Sequence, residues 1–389
     1  MIVNRLIIEE YYRSFSPELQ HAVENAAERI IRVKKKGGRV AVHLEGRVNV
    51  HEGVTTLVAE LMYRGIVDAV LTSAAIVNHE MSGVLERVKQ VQWQDLAGHA
   101  DLIPRNGLFE ITLLSPALME QIGQEVAIDI SFYRALLSAP GEVVVRVAGH
   151  RAYPGGLRTE VMARDVGAWS RKCGVPFEQV VGYGADSMTM IGAGARLGLP
   201  VLVTIPNLAQ GGAVGLAVGD SIALSERARR IGQVVDGATL IIESGVESPG
   251  NVYGGPFETS SGQGLWTGWQ GGWTYSNEGM SLLRINSASG ERAGVDDGPG
   301  PDPVPGWTDG RHLDGDIGKI WPVLAVRVAD ALGSELAFMS YSRSSPEGEK
   351  VRQWIVHNIL PADKQAILRA TTGLMSQRAD AGKNRRGKI

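Results

Sequence analysis

The chain has 389 residues, of which 44% are hydrophobic and 21% charged, with a formal net charge of −3. That is enough apolar material for a sizeable core, and the near-neutral balance argues against broad nucleic-acid binding, which needs a basic face. The single cysteine, Cys173, excludes an intramolecular disulfide and a multi-cysteine zinc site and suits a reducing compartment.

In chain order, Ser16 and Pro17 read as the cap and first position of a helix running to about Arg32. The stop KKKGG precedes an apolar strand, Arg39 to Leu44. GRVNVHEG leads into a helix over 53–65, and 67–72 is a short buried strand followed by small residues and the pair His79, Glu80. A helix over 187–197, the strand LPVLVTIP, a helix from Asp220 to Val234 and the strand ATLIIES follow. Alternation of helices with β-branched apolar strands predicts an α/β fold, Rossmann-like, with a mostly parallel sheet covered by helices on both faces. Ligands of such sheets collect at the carboxyl ends of the strands, where Thr72, Ser73, Ala74, His79 and Glu80 are expected. Two stretches interrupt the alternation: Gly254 to Met280, rich in glycine and tryptophan, and ERAGVDDGPGPDPVPGW, too rich in proline and glycine for regular structure. No apolar run approaches the roughly 20 residues of a membrane span. The N-terminus does not read as a cleavable signal, so the expectation is a cytoplasmic protein with no membrane partner. The tail GKNRRGKI reads as a solvated end.

These motifs carry a family resemblance. The run from Gly38 to Glu80, with VDAVLTSAA followed by NHE, resembles the opening of the nucleotide-binding fold of deoxyhypusine synthases. GADSMTMIGAGARLGLPVLVTIPNLAQGGAVG, ATLIIESGVESPGN, LLRINSAS and DDGPGPDPVPGW resemble later family segments in the same order, over roughly 38 to 330. GRVNVHEG and NHE are also similar to loops of the NAD-dependent alternate ornithine cyclodeaminases of the same superfamily. The resemblance implies three regions: an N-terminal helical arm (1–36), a deoxyhypusine synthase-like NAD-binding domain (37–345) and a C-terminal helical extension with a basic tail (346–389). It further implies a homotetramer with sites at subunit interfaces, bound NAD, and a small-molecule amine or amino acid as substrate.

The departures from the family pattern matter for function. Family synthases use a lysine two residues after a tryptophan, but Trp307 is followed by Thr308 and Asp309. A rival register uses the literal GKI and makes Lys319 the lysine. Deoxyhypusine formation on a protein is therefore not expected. Oxidising an amine to an imine needs NAD and a base for the ammonium proton, and a histidine titrates in the right range. The expected catalytic residues are His79, His51 and Lys319. Cofactor contacts are expected from Thr72, Ser73, Ala74, Glu80, Gln210, Gly211, Gly245, Asn286, Ser287 and Asp316, and substrate contacts from Asp297, Trp307, Trp269 and Arg47; no metal is expected. Trp266, Trp269 and Trp273 could wall an alkylammonium, although their spacing also suits one buried helix face. The first functional expectation is NAD-dependent oxidation of an alkyl amine or polyamine followed by aminoalkyl transfer or related chemistry. Two alternatives stay open. One is a cyclodeaminase-like enzyme acting on an amino acid, for which Arg47, Arg151 and Arg158 could bind the carboxylate. The other is a catalytically silent nucleotide-binding homologue or scaffold.

Overall fold

The computed structural model describes residues 3–92, 107–204, 206, 208–246, 265–267, 274–276, 281–287 and 311–386. Six parallel strands form the main sheet: β1 (Val40–Leu44), β2 (Ala69–Thr72), β6 (Val201–Val203), β7 (Leu240–Ser244), β10 (Ser281–Ser287) and β11 (Arg311–Gly315). They lie side by side as β6-β2-β1-β7-β10-β11. By chain position that is third, second, first, fourth, fifth and sixth, the doubly wound Rossmann order. The direction of winding reverses between β1 and β7, which pair in register from Val40↔Leu240 to Leu44↔Ser244. A crevice for a ligand is expected outside the carboxyl ends of these two strands.

The sheet forms because its strands are apolar on both faces. β1 reads VAVHL and is buried at every position, as are the four residues of β2; a half-solvated strand would alternate. Val40, Val42 and Leu44 point into one core layer with α2 (Pro17–Lys35), α4 (Val54–Tyr63), α5 (Ala74–Met81) and α13 (Ile317–Ala331). Ala41, Leu71 and Ile241 face the other way, onto Ala228, Ile231 and Val235 of α12 (Leu224–Gly237). At α2, Ser16 caps the helix by accepting from the Leu19 amide, and Pro17 holds its first position. Residues 1–36, expected as an arm, supply α1 (Arg5–Ser14) and α2, whose Ile8, Val23 and Ile30 are buried in the main core.

Between β2 and β6 the chain builds a second unit that the sequence reading did not separate. β4 (Leu108–Thr112), β3 (Leu85–Gln92) and β5 (Glu142–Val147) form an antiparallel sheet. It has its own small core of Val91, Ile111, Tyr133 and Leu136. The C-terminal helices, α14 (Pro346–Asn358) and α15 (Lys364–Arg386), pack back on the molecule. Arg352 of α14 donates to the Val145 carbonyl of β5, and Thr371 of α15 offers its carbonyl to the buried Cys173 thiol.

Candidate active site at the carboxyl end of the sheet

Glycines meet at the switch point. Gly46, directly after β1, and Gly245, directly after β7, have φ of 73° and 62°. A Cβ on Gly46 would stand 3.2 Å from the Gly245 carbonyl oxygen; one on Gly245 would stand 2.8 Å from Asn49 Nδ2 and 2.9 Å from the Glu45 oxygen. The left-handed backbone and this crowding favour glycine at both places, because the two strand ends and Asn49 pack directly against each other. Asn49 fastens them by donating to the Glu45 carbonyl at 2.5 Å and the Ser244 carbonyl at 2.8 Å. Ser244 Oγ donates back to Asn49 Oδ1 and accepts from the Trp321 indole at 2.9 Å. The carboxyl ends of β1 and β7 are where a doubly wound sheet admits a dinucleotide, although the loop after β1 has one glycine where the full fingerprint has three.

Beside the crevice, Ser73 caps α5 by accepting from the Ile76 amide, and Thr72 donates to the Leu44 carbonyl, tying β2 to β1. Ala74 sits against Gly211 of α11 (Leu208–Gly219), where a Cβ would lie 2.7 Å from the Ala74 methyl. The expected small residues thus serve the close approach of two helices. The side chains of Gln210 and Ser287 lie outside the described residues, as do Trp269, Asp297 and Trp307 entirely.

Asn78, His79 and Glu80 lie in the second turn of α5, so each points a different way. His79 is buried, and its Nδ1 faces the Ala148 carbonyl in a very short contact. A carbonyl only accepts, so Nδ1 carries the proton and Nε2 keeps its lone pair. Burial, followed by His150, Arg47 and Arg146, pushes the His79 pKa down to about 4 against the pull of that carbonyl. It is a neutral imidazole whose Nε2 lone pair stays unprotonated across the physiological range. Asn78 Nδ2 contacts His150 Nδ1 at 3.1 Å, and Gly149, with φ of 156°, leaves room for both Asn78 and His79.

Glu80 turns away from this cluster. Its two oxygens accept the amides of Met190 and Ile191, 2.8 and 3.0 Å away, at the start of α10 (Met190–Leu197). It caps a helix and orients neither histidine. Burial lifts its pKa to about 8, opposed by those two amides. Glu80→Ala orphans two buried donors and is expected to cost about 3 kcal/mol by urea denaturation at pH 6. A carboxyl with a raised pKa stabilises most below its unfolded value and loses that contribution as pH rises to about 8. The Glu80→Ala cost should therefore shrink between pH 5 and pH 9, and a cost that grows instead would refute the assignment.

His51 is differently placed. Arg352 donates to its Nδ1 at 3.1 Å, so Nε2 holds the proton and no lone pair is free. Burial, Arg352 and Arg343 push its pKa down to about 4. Lys319 stands apart, in the first turn of α13 with its Nζ 5.8 Å over the Tyr11 ring, and no described contact joins it to either histidine. Asp316 caps α13 by accepting from the Gly318 amide and from Ser342. Asn286 donates to Asp314 at 2.8 Å, from β10 to the edge strand β11. Arg158, weighed for a carboxylate, is committed to Glu125 at 2.7 Å.

The sequence reading missed His150, Arg146 and Arg352. Arg47, Arg146, Arg343 and Arg352 put positive charge near the histidines, while His150, its pKa lowered chiefly by burial, is neutral. Arg146 is paired with Glu86 and Glu110, whereas Arg47 and Arg151 are exposed and make no ion pair among the described residues. A cavity of about 570 Å³ opens at the opposite end of the sheet, lined by Arg39, Asp68, Pro200 and Arg230. Its size does not locate the chemistry, because open parallel sheets bind at their carboxyl ends. Among the described residues no cluster of histidine, cysteine or carboxylate side chains could hold a metal, and no helix is long and apolar enough to cross a membrane.

The fold and site define a doubly wound α/β protein with a pair of glycines at its switch point and a buried, neutral histidine on the helix that follows β2. No family model matches the chain, and no curated protein does. Among solved structures it is similar to the ternary complex of AgrE with ornithine and NAD+, at 15% identity and a TM-score of 0.43, covering 81% of this chain and 34% of that one. It is also similar to ArgZ, an arginine dihydrolase from the ornithine-ammonia cycle in cyanobacteria, at 14% identity and a TM-score of 0.42, covering 82% and 32%. The chain thus spans about a third of the length of these proteins.

Proposed function

We propose that this chain is an NAD-dependent enzyme that oxidises the amino group of a small amino acid to an imine, from which water or the substrate's own second amine displaces ammonia, in the manner of the cyclodeaminases. The observation that carries this reading is a pair of exposed arginines on this side, Arg47 acting on His79 and Arg151 on His150, with no ion pair among the described residues. A carboxylate is drawn to such a pair, while a polyamine meets like charges. The order of the two sequence expectations is thereby reversed: the amino-acid alternative has better support than alkyl-amine transfer.

In this reading the turns at Gly46 and Gly245 would hold NAD, which would supply the hydride acceptor for the carbon that bears the amino group. His79 Nε2 accepts a proton from the substrate ammonium, since imine formation requires the neutral amine. The Ala148 carbonyl fixes the tautomer and the ring orientation. Arg47 and Arg151 orient the carboxylate and set the amino group toward the base.

The test is calorimetry with NAD+, followed by absorbance at the NADH band and ammonia release with ornithine, arginine and putrescine. Binding with ornithine- or arginine-dependent ammonia release is expected. Turnover of putrescine alone would return the alkyl-amine reading, and binding without turnover of any of them would favour a silent nucleotide-binding homologue.

A further inference from the structure

A row of charged side chains crosses the centre of the sheet at the switch point. His43 on β1, Glu243 on β7 and Arg284 on β10 are in-register neighbours, His43↔Glu243 and Arg284↔Glu243. They project from the face that carries Ala41, Ile241 and Leu282. His43 is completely buried, with Nε2 3.3 Å from Glu45 and Nδ1 3.5 Å from Glu243, and Arg284 reaches Glu243 at 2.7 Å. Parallel strands buried on both faces are ordinarily apolar runs, and charged groups removed from water are often outperformed in stability by apolar ones of the same volume. The row therefore asks for a reason other than folding.

Its position supplies one. The row ends at Glu45, the residue that leads from β1 into Gly46, and the Glu45 side chain keeps 15% of its surface exposed. Each end of the row alternates sign, Glu45 and Glu243 flanking the imidazole and Arg284 flanking Glu243. The two carboxylates hold the His43 pKa above its ordinary value although burial alone would lower it.

Resting on the reading of the crevice as a dinucleotide site, we propose that Glu45 accepts hydrogen bonds from a ribose diol of the bound dinucleotide, with His43 as the positioning residue that fixes its carboxylate. The carboxylate that commonly does this in doubly wound folds lies about 20 residues beyond the glycine loop. Here that stretch leads to the Thr72 and Ser73 end of β2, where Thr72 is tied to Leu44 and Ser73 to its own helix. Glu45 supplies an acid from the neighbouring strand.

Calorimetry with NAD+ and its two monodeoxyribose analogues tests this on wild type, Glu45→Gln, His43→Gln and the double variant. Wild type should bind one of the analogues about tenfold more weakly than NAD+. Glu45→Gln should lose about that factor for NAD+ and no longer distinguish the analogue. His43→Gln should shift affinity in the same direction, and the double variant should be no worse than Glu45→Gln alone. Wild-type binding with an unchanged constant for Glu45→Gln would overturn the proposal and leave the dinucleotide site standing. Loss of urea stability in His43→Gln with unchanged affinity would reduce His43 to a structural role. Failure of wild type to bind NAD+ would overturn both readings together.

Discussion

His79→Asn is expected to lower kcat/KM for the amino-acid substrate by about 10²–10⁴-fold, the usual contribution of a positioned base. Asparagine can still donate to the Ala148 carbonyl, so the variant should fold and bind NAD+ with near-normal affinity. The same assignment sets the pH profile. A general base works unprotonated, and the His79 pKa is pushed down to about 4, chiefly by burial. The acid limb of kcat/KM for the free enzyme should therefore lie near pH 4, well below the value of about 6.5 for a solvated histidine. A limb close to pH 6.5, or a loss below tenfold in His79→Asn, would move the base elsewhere; His150 would then be the next residue to change.

The second large effect is structural. Arg227 of α12 is buried to within 1% of its surface and grips Glu178 of α9 (Phe177–Gly182) at 2.5 and 3.3 Å. It also donates to the Val203 and Val218 carbonyls, while Glu178 accepts the Val203 amide at 2.6 Å. This pair anchors the edge strand β6 between two helices. Arg227→Met leaves a buried carboxylate without its cation and should cost about 3–5 kcal/mol in urea denaturation. Arg227→Met with Glu178→Gln should recover part of that loss, because the stranded charge is gone. Equal instability of the single and double variants would show that the packing of the arginine, and not the pairing, dominates.

The strands were the most legible part of the molecule. VAVHL, VLV and LIIES are apolar runs broken only by His43 and the Glu243–Ser244 end, and only a sheet covered on both sides buries such runs. The alternation of strands with helices gave the class, and the carboxyl-end rule brought His79 into view, while Arg47 entered only as an arginine for a substrate carboxylate. The site blurred where neighbours in sequence diverge in space. Residues 78–80 look like one cluster on paper, but a helix rotates successive side chains by about 100°. Asn78 therefore faces His150, His79 faces Ala148 and Glu80 faces α10. Arg352 was beyond reach for another reason: its partner His51 lies 301 residues earlier, and an arginine on an amphipathic helix carries no local sign of a long-range contact. His43 could have been noticed as a lone titratable residue inside an apolar strand. Its meaning depends on Glu243 and Arg284 arriving alongside, which only the register reveals.

The pairing of β1 with β7 also bears on how the protein is made. Leu44 sits opposite Ser244, so the central ladder closes only after the chain between them, the antiparallel unit included, has been synthesised. Closing so long a loop is entropically costly and slows folding relative to local contacts. The cofactor crevice is created by that closure, because Gly46 and Gly245 meet nowhere earlier on the path. A ligand that recognises the crevice cannot help to form it; it arrives after the slow step and acts on the finished protein. Dinucleotide should therefore prolong the lifetime of the native state, slowing its opening, while leaving the rate of refolding unchanged.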